Sequence, residues 1–155
     1  MPALQRDDGT LLTELPALAW YLARSNPAAA LLPESIEGEA RLLELVDYMV
    51  ATVHMRGFTR IFRTSAFTPT TADEPAVQQT GKDMVTDGLK LLSQTLGAKA
   101  YLLGDYSIAD AVLFYLGDWA AKRVQMPVPE NIAGHTARMR ARPAVARALA
   151  AEGLA

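Results

Sequence analysis

Ser107 and Asp110 stand three positions apart in Gly104-Asp105-Tyr106-Ser107-Ile108-Ala109-Asp110, directly ahead of the apolar run Ala111-Val112-Leu113-Phe114-Tyr115-Leu116. At that spacing Ser107 as N-cap can accept from the N–H of Asp110, while the Asp110 carboxylate reaches back to the N–H of Ser107. The helix so opened is apolar nearly all round, which makes it central, and an acid at its buried start must be satisfied by those amides. Asp110 therefore reads as structural rather than catalytic. His54 carries a second kind of chemistry, because a neutral imidazole with an unperturbed pKa of ~6.5 can accept or relay a proton. A partly buried histidine on an amphipathic helix is the other reading of the same residue. His135 lies far along the chain with no ligand-like neighbours in sequence, so no metal site is expected. The chain has no Cys, which removes disulfides, thiolate zinc sites, iron–sulfur clusters and cysteine nucleophiles. Arg138, Arg140, Arg142 and Arg147 suggest a solvated face of the last helices.

These residues need elements to place them. Asp8-Gly9 between Ala3-Leu4 and Leu11-Leu12 predicts a short hairpin with a tight turn. Leu18, Trp20, Tyr21 and Leu22 predict a short helix from Pro16 to Arg24, ended by Asn26-Pro27. The stretch with Pro33 and Gly38 reads as a linker, with a domain boundary between Asn26 and Ser35. Leu42, Leu45, Val46, Met49, Val50 and Val53 recur at i, i+3, i+4 and i+7 and predict a long helix from Glu39 to about Phe62, which carries His54. Residues 64–75, rich in Thr and Pro, read as an exposed connection. Further helices are expected from Ala76 to Leu96 with Gly97 as the stop, from Ser107, from near Pro129, and from Ala144 to Ala151.

The 155 residues suffice for one sizeable core, and 27 Ala with 21 Leu make the chain mainly α in expectation. The net charge of −2, without a basic arm or block, lacks the footprint of a nucleic-acid binder. No stretch reaches the ~20 apolar residues of a membrane span, so a cytoplasmic protein with no membrane partner is expected.

Tyr101-Leu102-Leu103-Gly104 followed by Tyr106-Ser107-Ile108-Ala109-Asp110 resembles the helical-domain signature of the cytosolic glutathione S-transferases. Pro2-Ala3-Leu4, Asp7-Asp8-Gly9, Leu12-Thr13-Glu14, Ala17-Leu18 and Tyr21-Leu22 are similar to a run near the middle of that family's first domain. Ala141-Arg142-Pro143-Ala144-Val145 and Ala151-Glu152-Gly153-Leu154 resemble the ending of bacterial, beta-class-like members. The resemblance spans essentially the whole chain. It implies a glutathione S-transferase C-terminal-like helical bundle, residues 35–155, preceded by a partial thioredoxin-like hairpin plus helix, residues 1–26. It also implies that the chain begins inside the first domain, so that the family's catalytic Tyr, Ser or Cys is not among these residues.

The implied chemistry is attack of glutathione thiolate on a small hydrophobic electrophile, with glutathione as co-substrate, no metal and a homodimeric assembly. The resemblance gives glutathione-binding roles to Pro2, at the family's cis-proline, to Glu14, which would grip the γ-glutamyl ammonium, and to Leu15, where the family's carboxylate-binding Ser stands. Glu14 has a second reading, as a first-turn acid stabilising a helix N-terminus. His54 matches a histidine that points at the glutathione sulfur. Tyr48, Phe58, Phe62, Tyr115 and Trp119 would line the second-substrate pocket, although such residues are as readily core. A non-catalytic transferase-like helical module, for protein assembly or ligand binding, is the alternative.

Overall fold

The computed structural model describes residues 2–154. Strands β1 (Ala3–Gln5) and β2 (Leu11–Thr13) pair antiparallel, Leu4 opposite Leu12, across a turn in which Gly9 takes φ 83°. That left-handed value is steric trouble for most residues and free for glycine. Helix α1 (Leu15–Ser25) follows at once, with Pro16 in its first turn. Glu14 is its N-cap, so it lies ahead of the first turn and its side chain caps nothing, unlike the first-turn acid expected as one reading. A single turn at Pro27–Ala29 then leads across the predicted boundary.

The long helix α2 is built from an α-helical part (Ile36–Asp47), a π-helical part (Tyr48–Phe58) and a closing turn (Thr59–Phe62). It starts three residues earlier than the sequence suggests, because Ser35 caps it by accepting from the Gly38 N–H at 3.1 Å. Leu42, Leu45, Val46, Met49 and Val53 are all buried, as the periodicity requires. Residues 64–75 form the expected, mostly exposed connection, with some local order. They hold single turns at Thr64–Ala66 and Thr71–Asp73, and the Thr64 hydroxyl donates to Glu74 Oε2 at 2.7 Å.

Helix α3 (Glu74–Leu96) lies against the π-helical part of α2. The approach is close because both helices offer glycine: a Cβ on Gly81 would fall 2.8 Å from the Gly57 carbonyl oxygen, and one on Gly88 2.6 Å from Val53. Helix α4 (Ile108–Asp118) runs on as a π-helical turn (Trp119–Arg123) and is the axis of the bundle, with Ile108, Ala109, Val112, Leu113 and Leu116 buried. Helix α5 (Glu130–Arg140) is fixed to the end of α3 by Asn131, whose amide donates to the carbonyls of Ser93 at 2.9 Å and Gly97 at 3.0 Å. Helix α6 (Pro143–Ala151) closes the fold. The architecture is the mainly α bundle with a small hairpin and helix in front. No helix among the described residues is long and apolar enough to cross a membrane.

Two of the four late arginines, Arg140 and Arg142, depart from the solvated-face expectation, while Arg138 stays exposed and still makes a hydrogen bond. Arg140 donates to Asp118 Oδ1 at 2.9 Å, Arg142 lies 3.6 Å over the Tyr106 ring, and Arg138 donates to the Ala100 carbonyl at 2.8 Å. A planar guanidinium on a long stem can serve packing and hydrogen bonding at once, which a reading of charge alone does not anticipate.

Candidate functional site

Two buried polar constellations emerge, and they have different characters. The first is the Asp110 carboxylate at the start of α4. Its Oδ2 accepts from the Ser107 N–H at 2.9 Å and the Ser107 hydroxyl at 3.2 Å, and its Oδ1 accepts from the Leu102 N–H at 2.9 Å. The capping box is present, and Asp110 and Ser107 are buried. His135 Nε2 lies 3.0 Å from the same Oδ1, with no solvent exposure on either side chain. A carboxylate with its lone pairs so occupied is a structural fixture that holds the 97–107 loop, α4 and α5 together. The sequence reading missed His135 as its partner. The signal existed in Ile132, His135 and Met139, which follow helical spacing and are all buried.

The second constellation surrounds His54 in the π-helical part of α2. Its ring centroid lies 5.5 Å from that of Trp119, 5.7 Å from Tyr115 in an edge contact, and 6.3 Å from Phe58. Phe58 stacks on Phe62 at 6.0 Å, and both meet Trp119 edge-on. The two π-helical segments among the described residues thus meet at this point, one bringing His54 and the other Trp119. Helical turns of this kind are rare and recur at functional sites. Burial holds the His54 pKa below its ordinary value, so the imidazole is neutral at pH 7, and its buried Nδ1 has no hydrogen-bond partner. Burial pushes the Tyr115 phenol well above its ordinary range, so the hydroxyl remains a proton donor.

Tyr115 also faces α1. It lines an apolar cleft of about 240 Å³ together with Leu15, Ala19, Leu22, Tyr106 and Ile108. On its other side Tyr115 shares a cleft of about 330 Å³ with Trp119 and with Val145 and Leu149 of α6. Leu15, at the start of α1, therefore opens onto the same hollow as Tyr115, which in turn touches His54. Glu14, beside Leu15, is exposed and held at φ 67°, a backbone conformation costly for any residue with a Cβ. Pro2 is exposed on the hairpin, and the residue before it, Met1, lies outside the described residues.

Of the aromatic residues, Phe58, Phe62, Tyr115 and Trp119 come together around His54. Phe58 does so from full burial, whereas Phe62 is half exposed. Tyr48 lies elsewhere. It lines a separate cleft of about 430 Å³ with Leu45, Leu91 and Leu102, where burial, followed by the charge of Asp87, raises its pKa. Among the described residues no group of three or more His, Cys, Asp or Glu side chains is arranged to hold a metal ion.

No family model matches the chain. It is 37% identical to glutathione S-transferase GstA of Escherichia coli O157:H7 over 157 residues, which covers 99% of this chain and 74% of that protein. The beta-class glutathione S-transferase of Sphingomonas chungbukensis superposes with a TM-score of 0.83 at 32% identity, covering 100% of this chain and 75% of that one. A sphingomonad glutathione S-transferase solved in complex with glutathione gives a TM-score of 0.82, also at 32% identity, over 100% of this chain and 75% of the other. With the helical bundle, the partial hairpin domain and this degree of identity in agreement, the chain belongs to the glutathione S-transferase family.

Proposed function

We propose that the protein binds glutathione at the start of α1 and conjugates its thiolate to a small hydrophobic electrophile lodged against the His54 cluster. The observation that carries this reading is the shared cleft: Leu15 and Tyr115 line one hollow, and His54 touches Tyr115. In the reaction the thiol proton passes to a base, the sulfur forms a bond to the electrophilic carbon, and the leaving group departs with its electron pair. Neutral His54 is suited to take the proton, and the protonated Tyr115 hydroxyl to donate a hydrogen bond to the sulfur as it becomes anionic. Glu14 supplies a carboxylate for the γ-glutamyl ammonium, and its strained backbone is what a position fixed for binding would show. The phenyl ring of Phe58 supports the pocket from behind, and Pro2 and Leu15 bound the glutathione end. Exposed Leu11 and Leu22 on the hairpin and α1 offer a surface to a second copy of the chain, and a homodimer working in the cytoplasm completes the reading.

Thermal unfolding with and without glutathione tests it. Ligand at ~100 times Kd stabilises by ~2.7 kcal/mol, and for a chain of this size that is a rise of about 5–10 °C in Tm. Glu14→Ala is expected to lose most of that rise. An unchanged Tm at saturating millimolar glutathione would overturn the proposal, and an equal rise in Glu14→Ala would remove Glu14 from the site.

A further inference from the structure

We infer that Arg123 makes the second-substrate pocket selective for electrophiles that carry an anionic group, an aromatic or unsaturated carboxylate being the class that fits. The inference rests on the transferase reading above. Its basis is the charge around Trp119. The rings packed against that indole belong to His54, Phe58, Phe62 and Tyr115, and the Arg123 guanidinium lies 4.5 Å over its centroid. His54, held neutral, and the two phenylalanines and the tyrosine bring no charge to the ring, whereas Arg123 lays a cation over it. The nearby carboxylate of Asp118 is already engaged, by Arg140 at 2.9 Å and by Lys122 at 3.6 Å, and Arg123 has no ion-pair partner among the described residues. Three cations, Lys122, Arg123 and Arg140, therefore stand on this side of the cluster against two carboxylates, those of Asp118 and of Glu152, which lines the cleft beside Trp119.

Geometry sets the reach. His54 and Arg123 flank Trp119 at 5.5 and 4.5 Å, so the guanidinium is no farther from the imidazole than those two distances laid end to end. A planar substrate lying along the Tyr115, Trp119 and Phe62 rings can place its reacting carbon near His54 and its carboxylate on Arg123. The planar guanidinium matches a carboxylate with two parallel donors, which a neutral pocket cannot do. An arginine lying on an exposed aromatic ring merely to cover it is the plain alternative, and the two differ in what they do to substrate choice.

The test compares 4-chloro-3,5-dinitrobenzoate with 2-chloro-1,3-dinitrobenzene, the same acceptor without its carboxylate. In both, glutathione sulfur bonds to the chlorine-bearing carbon, chloride leaves with the C–Cl pair, and the thiol proton is released to buffer. In the full-length chain, Arg123→Gln is expected to lower the anionic-to-neutral ratio of kcat/KM about tenfold, the worth of one charge-assisted hydrogen bond, and Arg123→Lys to restore part of it. A ratio that Arg123→Gln leaves unchanged overturns the inference. Turnover of neither compound would instead tell against the transferase reading. In that case calorimetric titration with 3,5-dinitrobenzoate decides Arg123 by itself: tenfold weaker binding to Arg123→Gln supports its role, and equal binding refutes it.

Discussion

Replacing Asp110 by Ala should remove a large share of the stability of the fold. The carboxylate accepts from the Leu102 N–H, the Ser107 N–H and hydroxyl, and lies 3.0 Å from His135 Nε2. Leu102 and His135 are wholly buried and Ser107 is 3% exposed, so two backbone donors and an imidazole would be stranded out of reach of bulk water. Each stranded donor costs roughly 1–3 kcal/mol. Water entering the space left by the carboxylate would offset part of that, which leaves about 3–5 kcal/mol. Set against the ~5–15 kcal/mol of a typical domain, the loss is severe. With a urea slope of ~2 kcal/mol per M, the midpoint should fall by about 2 M, read by far-UV circular dichroism. His135→Phe is the sharper comparison. It puts a somewhat larger ring into a fully buried site, removes the orphaned Nδ1, and leaves the carboxylate its three remaining donors, so it should cost about 1–3 kcal/mol of overpacking, less than Asp110→Ala. An Asp110→Ala midpoint within ~0.5 M of the parent, or a His135→Phe loss equal to that of Asp110→Ala, would refute the view that the carboxylate is the hub.

Two further outcomes follow from the same structure. Burial lowers the His54 pKa below 6.5, so the folded state binds fewer protons there than the unfolded chain, and stability must decline as pH falls below that unfolded value. Urea midpoints between pH 7.5 and 5.5 should therefore slope more steeply for the parent than for His54→Gln, and parallel slopes would count against a buried neutral imidazole. Gly81→Ala would drive a Cβ to 2.8 Å from the Gly57 carbonyl oxygen and should cost about 1–3 kcal/mol, whereas Gly134→Ala, with open space around it in α5, should stabilise by up to ~1 kcal/mol. Paired thermal melts would show whether the signs differ.

What could be read from the sequence was whatever local rules govern. The Asp8-Gly9 turn, the spacing from Leu42 to Val53 and the Ser107/Asp110 box each depend on a few neighbouring residues, and each stands in the structure. The early start of α2 at Ile36 depends on Ser35 acting as cap, a position that the Pro33 and Gly38 signals obscured. The candidate site was legible only in pieces. His54, Tyr115 and Trp119 could be named from the family resemblance, but their assembly into one cluster needs the crossing of α2 and α4, a long-range fact with no local signature. Tyr48 shows the limit from the other side. It stands six residues before His54 on the same helix, yet it opens onto a different cleft. His135 and Arg123 acquire meaning only from what they touch.

The widening of α2 into a π-helix has a physical cause in the order of its side chains. Met49 and Val53 set the inward stripe, and at 3.6 residues per turn that stripe would continue through positions 56 and 60, both arginine. Burying two unpaired guanidinium groups against Val85 and Trp119 would be prohibitive. The i→i+5 turns shift the inward positions to Gly57, Phe58 and Ile61, which are buried, and leave Arg56 in solvent. The shift also brings Gly57 under Gly81 for the close helix crossing and turns His54 toward Tyr115 and Trp119. Packing, charge avoidance and the placing of the imidazole are thus settled by one change of helical pitch, and a substitution that restored the ordinary pitch would disturb all three together.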